Sequence, residues 1–175
     1  MPLLKIVKDN LSKVPAIHRF TIVSACIMAL SYVIKRLILA ISFIALSMSA
    51  RDTMLSIVTH AHALVGLTCM AGVIIQNILI LLIAVIPEDF GGHIENMLKN
   101  YTNPSGEIDT SEFTFMQKVL FNAYYCYDEF LYRKFGYRFK SSLYLDREQT
   151  SKVFTEMIII VLVHLAVILL AGALF

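Results

Sequence analysis

Charged residues and cysteines are scarce in this sequence, and each scarcity excludes a class of protein. Lys, Arg, Asp and Glu make up 16% of the 175 residues while 58% are hydrophobic, a composition outside the range of average soluble domains. The three cysteines, Cys26, Cys69 and Cys126, form no CxxC pair and no Cys/His spacing that suits zinc, so neither a disulfide framework nor a zinc site is indicated. A net charge of +2 is too small to indicate binding to nucleic acid.

The charges that are present are unevenly placed along the chain. Residues 20–86 contain only four of them, and residues 153–175 contain only Glu156. Because about 20 consecutive apolar residues cross a bilayer as a helix, these stretches predict an all-α, polytopic membrane protein in contact with the lipid bilayer. The expected transmembrane helices lie near residues 14–34, 53–80 and 153–174.

The predicted organisation has four regions. Residues 1–13 form a basic, amphipathic N-terminus in which no cleavable signal peptide is visible. Residues 14–86 hold the first two transmembrane helices and a short connection. Residues 87–152 form a polar, aromatic-rich, helical extramembrane segment, and residues 153–175 hold the third transmembrane helix, with Asp146 and Thr150 as candidate caps. The Lys/Arg bias predicts that the N-terminus and the extramembrane segment share one side of the membrane.

The connection between the first two helices has two interpretations. Lys35 and Arg36 interrupt the apolar run, and we expect them to reach the lipid head groups. Residues 37–50 then either lie at the membrane interface or continue the helix beyond the bilayer. The second helix stays uncharged from residue 53 to Ile86, which is longer than a bilayer requires. It must therefore tilt, kink near Gly72 or protrude into protein.

Two histidines lie inside the second apolar run. His60 and His62 are two residues apart, so they point to different sides of a helix, whereas His62 and Gly66 are four apart and share a face. A glycine on that face lets a flat group approach the backbone, and a neutral imidazole is an axial ligand for haem iron. The alternative is a histidine that packs against a neighbouring helix. Ionisable residues inside a membrane are costly, which favours a functional role.

Two short elements accompany these histidines. "IHRFT" stands at the start of the first helix with His18, Arg19 and Thr21, and "HALVG" stands in the second with His62 and Gly66. Together they resemble the cytochrome b membrane-anchor subunits of succinate dehydrogenase, respiratory complex II. The large anchor subunit of that family has a Ser-x-x-His-Arg-x-Thr-Gly element, and its second span carries a haem-ligating His followed by three residues and Gly.

The resemblance implies a set of roles for these residues. His62 would ligate haem b, with the second axial ligand supplied by a second anchor subunit. Arg19 and His18 would lie near the haem propionates or the ubiquinone head group. The chain would be a multi-pass protein of the mitochondrial inner membrane that passes electrons from an iron–sulfur subunit to quinone, as a subunit of an oxidoreductase complex rather than a catalyst alone. Pro15 and Ile22 stand where the family has serine and glycine.

The extramembrane segment contains two further patterns. Residues 101–112 are similar to a degenerate EF-hand calcium loop, but Tyr101 replaces the usual first Asp. We favour a turn at "NPSG" followed by a capped helix that begins near Thr110. The rest of the segment interleaves aromatic and basic residues, which suits a head-group interface or a protein-docking surface. Its basic residues are Arg133, Lys134, Arg138 and Lys140.

Three functions therefore compete. The first is the complex II anchor subunit described above. The second is a non-catalytic, supernumerary membrane subunit of a mitochondrial respiratory complex, which stabilises assembly through residues 87–152. The third is a channel or transport protein, which the sequence favours least because its helices contain neither paired charges nor broken-helix repeats.

Overall fold

The structure, a computed structural model, describes residues 9–85, 92–139 and 145–174. Residues 1–8, the predicted helix-ending turn after Pro87, and Lys140 lie outside these ranges. Residues 9–13 are helical, and the described ranges contain one isolated bridge but no β-strand. Five helices lie entirely within them: α1 (Ala16–Ala45), α2 (Met48–Val85), α3 (Gly92–Lys99), α4 (Phe115–Phe135) and α5 (Arg147–Leu174).

Three of these helices are long and apolar enough to cross a membrane. They are α1 with 30 residues, α2 with 38 and α5 with 28. The cap predicted for α5 is present, since the Gln149 N–H donates to Asp146 Oδ1 at 2.8 Å. The prediction of an all-α chain with three helices of membrane-spanning length is confirmed.

The ends of α1 and α2 differ from those predicted. Helix α1 continues through Lys35 and Arg36 to Ala45, and α2 begins at Met48 rather than at residue 53. A helix satisfies its backbone hydrogen bonds internally, so charged side chains on its surface do not end it. Residues 37–45 therefore continue the helix, whereas residues 46 and 47 form the connection and residues 48–50 begin α2.

Contacts between α1 and α2 fix their antiparallel register. Ser31 contacts His62, and the space beside Gly72 is occupied by the ring of Phe20. A Cβ built at Gly72 would lie 2.9 Å from Phe20 Cζ, so the glycine admits the ring. Helix α2 is continuous through this position, and the glycine serves close packing.

The chain divides into two compact units, each built from parts of the long helices. The first unit, Met1–Arg19 and Ile75–Leu162, holds the larger core. The residues between α2 and α5 contribute most of it, and Ile17 joins it from the start of α1. Its fully buried large side chains are Ile17, Ile80, Ile83, Ile94, Leu131, Phe139 and Met157.

The second unit, Phe20–Ile74 and Val163–Phe175, has a small core. Met28, Val73, Ile168 and Ala171 form it, while most large apolar side chains of the unit are exposed. Apolar surface of this kind is stable when it faces lipid rather than water. This unit therefore has the surface of a membrane-embedded helix group.

Helix α4 has well-defined ends. Thr114 is its N-cap: its Oγ1 accepts the Gln117 N–H, and the Gln117 side chain accepts the Thr114 N–H, which is a complete capping box. Gly136 ends the helix with φ of 77°, a left-handed conformation that glycine adopts without strain. The helix therefore begins at Phe115, later than the predicted start near Thr110.

Thr114→Ala should lower the free energy of unfolding by about 1 kcal/mol, because the mutation removes the side-chain half of the capping box. Thermal unfolding of the detergent-solubilised protein measures the change. Thr110→Ala, in the loop before the cap, is the control and should leave the stability unchanged. Equal effects of the two substitutions would show that the cap contributes nothing.

The loop from residue 101 to residue 112 is held by its own hydrogen bonds. The Asn103 N–H donates to the Glu107 carbonyl, and the Asp109 N–H donates to the Tyr101 carbonyl. The Asp109 carboxylate accepts the hydroxyl and the N–H of Ser111, which lowers its pKa. Asp109 thus stabilises a turn before α4. Among the described residues, no group of three or more His, Cys, Asp or Glu side chains is placed to hold a metal ion.

Candidate functional site

His62 is half-buried on the face of α2 that packs against α1. Its Nδ1 lies 3.0 Å from Ser31 Oγ, and its ring lies 6.1 Å from the Tyr32 ring, measured between centroids. His60 is exposed, and its Nδ1 lies 2.7 Å from the carbonyl oxygen of Ser56 on its own helix, so this nitrogen is the donor. Of the two histidines, only His62 is engaged with the neighbouring helix by these contacts.

Gly66 lies one turn after His62 on the same face, as expected. A Cβ at Gly66 would lie 3.8 Å from Met28 Cε, which is an ordinary van der Waals contact, so Met28 packs beside this position without filling it. A hydrogen bond on one ring nitrogen is common for a metal-ligating histidine, and Ser31 provides such a partner. A macrocycle on the α1 side of His62 would have to separate two helices that are in contact at Met28, whereas the resemblance places the haem between this chain and a second anchor subunit. Haem ligation by His62 therefore stays a prediction.

The residues predicted near the start of α1 have structural partners. Arg19 Nε donates to the Val14 carbonyl at 2.7 Å, and Arg19 Nη2 donates to the Ser12 carbonyl at 2.9 Å. These carbonyls lie at and just after the end of the helical residues 9–13, so Arg19 caps that segment. Thr21 is buried and His18 is half-buried. Roles for Arg19 and His18 toward propionate or quinone stay predictions.

Glu129 is a polar residue of the first unit whose role the sequence did not reveal. It is 9% exposed; its Oε2 accepts the Ala16 N–H at 3.0 Å, and its Oε1 pairs with Arg133 Nη2 at 2.7 Å. Ala16 is the first residue of α1, where helix N–H groups lack partners and negative charge is favoured. A carboxylate in α4 therefore holds the start of α1. Ala16 and Glu129 are 113 residues apart, so no local pattern predicts the contact.

Of the four basic residues predicted for docking, the three that the structure describes are paired within the chain. Arg133 pairs with Glu129, and Lys134 pairs with Glu156 at 3.3 Å. Arg138 donates to Asp128 at 2.7 Å, and its guanidinium lies 4.2 Å from the centroid of the Tyr132 ring. Internal pairing neutralises much of the charge that was expected to attract a partner or head groups, which weakens the predicted docking role of these residues.

Two further titratable side chains of α4 lie in the core. Burial and, to a lesser extent, the nearby Glu129 carboxylate raise the pKa of the Cys126 thiol to about 11. Burial likewise raises the pKa of Tyr124 to about 12. Both groups are therefore protonated at neutral pH, and a protonated thiol is a poor nucleophile. These side chains pack the core and have no chemical role indicated by their environment.

Comparison of the chain with models of known protein families, with curated proteins and with solved structures gives no match. The class of protein is therefore defined by the helices themselves. Three helices of membrane-spanning length and apolar composition identify a multi-pass membrane protein.

Proposed function

We propose that the chain is a non-catalytic subunit of a larger membrane complex and that the tip of its α1–α2 hairpin, residues 37–57, binds a partner membrane subunit. The side chains with candidate chemical roles, His62 and Arg19, are engaged within the chain. The hairpin, in contrast, is longer than a bilayer requires and apolar beyond that length. This excess of exposed apolar helix is the observation that supports the proposal.

The length of α2 shows by how much the hairpin exceeds the thickness of the hydrocarbon core. Helix α2 has 38 residues. At about 1.5 Å per residue it extends about 57 Å, whereas the hydrocarbon core is about 30 Å thick. A tilt of about 40° would accommodate only about 39 Å. The end near Ile80 and Ile83 is buried in the core of the first unit, so the chain covers that end itself.

The opposite end of the hairpin has no such cover within the described residues. Lys35 and Arg36 mark the expected head-group level on α1, and nine residues, about 14 Å of helix, continue past them to Ala45. At the tip, Phe43 is 70% exposed, Ile44 86% and Met48 81%. An apolar patch of this kind outside the hydrocarbon is unfavourable in water and is typical of a protein contact. A partner subunit that buries the tip would remove these apolar side chains from water.

Replacing Phe43, Ile44 and Met48 together by alanine should shift the protein from a large complex to a smaller species, because the apolar contact is removed while the helix is retained. Native gel electrophoresis of mild detergent extracts measures the shift. The matched control replaces Leu30, Leu64 and Leu67 by alanine; these residues are also exposed, at 60–67%, but they lie nearer the lipid-facing middle of the hairpin. The same mobility for the tip variant and the wild type would rule out this function.

An anchor subunit of succinate dehydrogenase in the mitochondrial inner membrane is a more specific form of this proposal. One observation favours it: His18 and Arg19 lie at the end of α1 that is held by Glu129, so the family-like element adjoins the polar segment that would meet an iron–sulfur subunit. Ubiquinone would bind beside these residues. If the complex identified in the mobility experiment contains no succinate dehydrogenase subunits, the specific form is excluded and the general form stands.

A further inference from the structure

Four polar side chains of the second unit lie together on the α1–α2 hairpin. Ser31 contacts His62 Nδ1 at 3.0 Å, and the Tyr32 ring packs at a tilt of 55° on the same imidazole. Arg36 Nε donates to the Tyr32 hydroxyl at 2.9 Å, and the guanidinium carbon lies 5.0 Å from the centroid of the Tyr32 ring. The imidazole, which is itself in contact with Ser31, packs against the tyrosine ring, and the tyrosine hydroxyl orients the arginine.

The depth of this cluster is set by the length of α1. Arg19 and Arg36 are the two arginines of the helix, and the residues between them rise about 26 Å along its axis. The hydrocarbon core is about 30 Å thick, and arginine side chains extend toward the head groups. With Arg19 at one surface, Arg36 lies at the head-group level of the opposite leaflet.

The local charge is positive at that level. Lys35 precedes Arg36, and Asp52 is the only acidic residue between residues 20 and 74. In the register set by Ser31 and His62, Asp52 lies beside residue 41, more than one turn past Arg36 toward the tip. A guanidinium held by its Nε presents its terminal amino groups as a planar fork, which matches the oxygen atoms of a phosphate.

We propose that Arg36, oriented by Tyr32 and assisted by Lys35, binds the phosphate of an anionic phospholipid in the leaflet opposite the N-terminus. The inference does not depend on the proposed partner contact, because the two use different residues and different ligands. The head group supplies negative charge, and the exposed apolar side chains of α1 below Arg36, such as Leu30 and Val33, provide a surface for its acyl chains.

The experiment uses the full-length protein in a neutral detergent. Binding of phosphatidylglycerol and of phosphatidylcholine with the same acyl chains is measured by native mass spectrometry, with inorganic phosphate as a third ligand. Arg36→Gln should bind phosphatidylglycerol about tenfold more weakly, since a charge-assisted contact is lost. Tyr32→Phe should weaken binding roughly threefold, because the guanidinium keeps its charge but loses its orienting hydrogen bond.

Arg51 provides a matched control. Its Nε also donates to an oxygen, the Leu46 carbonyl at 2.9 Å, and its guanidinium lies 4.6 Å from the centroid of the Phe43 ring. Arg51→Gln should bind phosphatidylglycerol as the wild type does.

The outcomes separate a specific site from other kinds of binding. Equal losses of phosphatidylglycerol affinity for Arg36→Gln and Arg51→Gln would show diffuse charge attraction rather than a site. Unchanged affinity of Arg36→Gln would overturn the proposed site. Competition by millimolar inorganic phosphate would mean that the cluster binds free anions. If Arg36→Gln does not fold, the Tyr32→Phe variant alone tests the proposal. Phosphatidylglycerol binding by Tyr32→Phe that equals that of the wild type overturns the proposal.

Discussion

Glu129→Ala is expected to lower the free energy of unfolding by about 2 kcal/mol, because it removes a charge-assisted hydrogen bond from the start of α1. The carboxylate accepts the Ala16 N–H at 3.0 Å inside the core of the first unit. Arg133 loses its partner too, but it is partly exposed and can be solvated. Release of the segment before Ala16 should let trypsin cleave after Lys13 faster than in the wild type. Denaturant titration in detergent and timed proteolysis measure the two effects.

Two variants separate this contact from a general loss of charge. Glu129→Gln keeps an acceptor for the Ala16 N–H without the charge, so it should lose about half as much stability. Glu148→Ala breaks an exposed pair with Lys152 at 2.7 Å, which has the same spacing as the Glu129–Arg133 pair, and it should cost only a few tenths of a kcal/mol. If Glu148→Ala and Glu129→Ala are equally destabilised, the buried hydrogen bond between Ala16 and Glu129 does not stabilise the start of α1.

The sequence was sufficient to predict the helices that depend on local physics. Long apolar stretches locate α1, α2 and α5, and the cap at Asp146 is a local side-chain feature. The sequence did not locate the end of α1, because exposed cations at Lys35 and Arg36 are compatible both with a continuous helix and with a chain that turns along the interface. The capping box at Thr114 and Gln117 is also local, but the competing turn residues before it drew the predicted start of α4 too early.

The contacts that define the candidate sites are non-local and could not be predicted. The shared face of His62 and Gly66 follows from helical periodicity, but the identity of the facing side chains, Ser31 and Met28, depends on the register of the hairpin. That register is fixed by a connection two residues long that the sequence did not locate. The partner of Glu129 lies 113 residues away, so its role appears only in the folded chain.

His62→Ala should lower the free energy of unfolding by about 2 kcal/mol, since it removes the contact with Ser31 and leaves a cavity beside Tyr32. His60→Ala should change it little, because His60 is exposed and contacts only its own helix. Thermal unfolding in detergent compares the two substitutions. Equal losses would contradict the assignment of His62 as the histidine that packs between the helices.

His62→Gln separates packing from ligation. Glutamine can still hydrogen-bond to Ser31 and fill part of the space, so it should recover about half of the lost stability. Glutamine is a poor substitute for an axial imidazole, so a haem bound by His62 would disappear from the reduced-minus-oxidised visible spectrum of the complex even in the stable Gln variant. Because His62 packs against Ser31 and Tyr32 of α1, we expect the spectrum of the complex to be the same for wild type and His62→Gln. A haem band present in the wild type and absent in His62→Gln would instead assign His62 as the ligand.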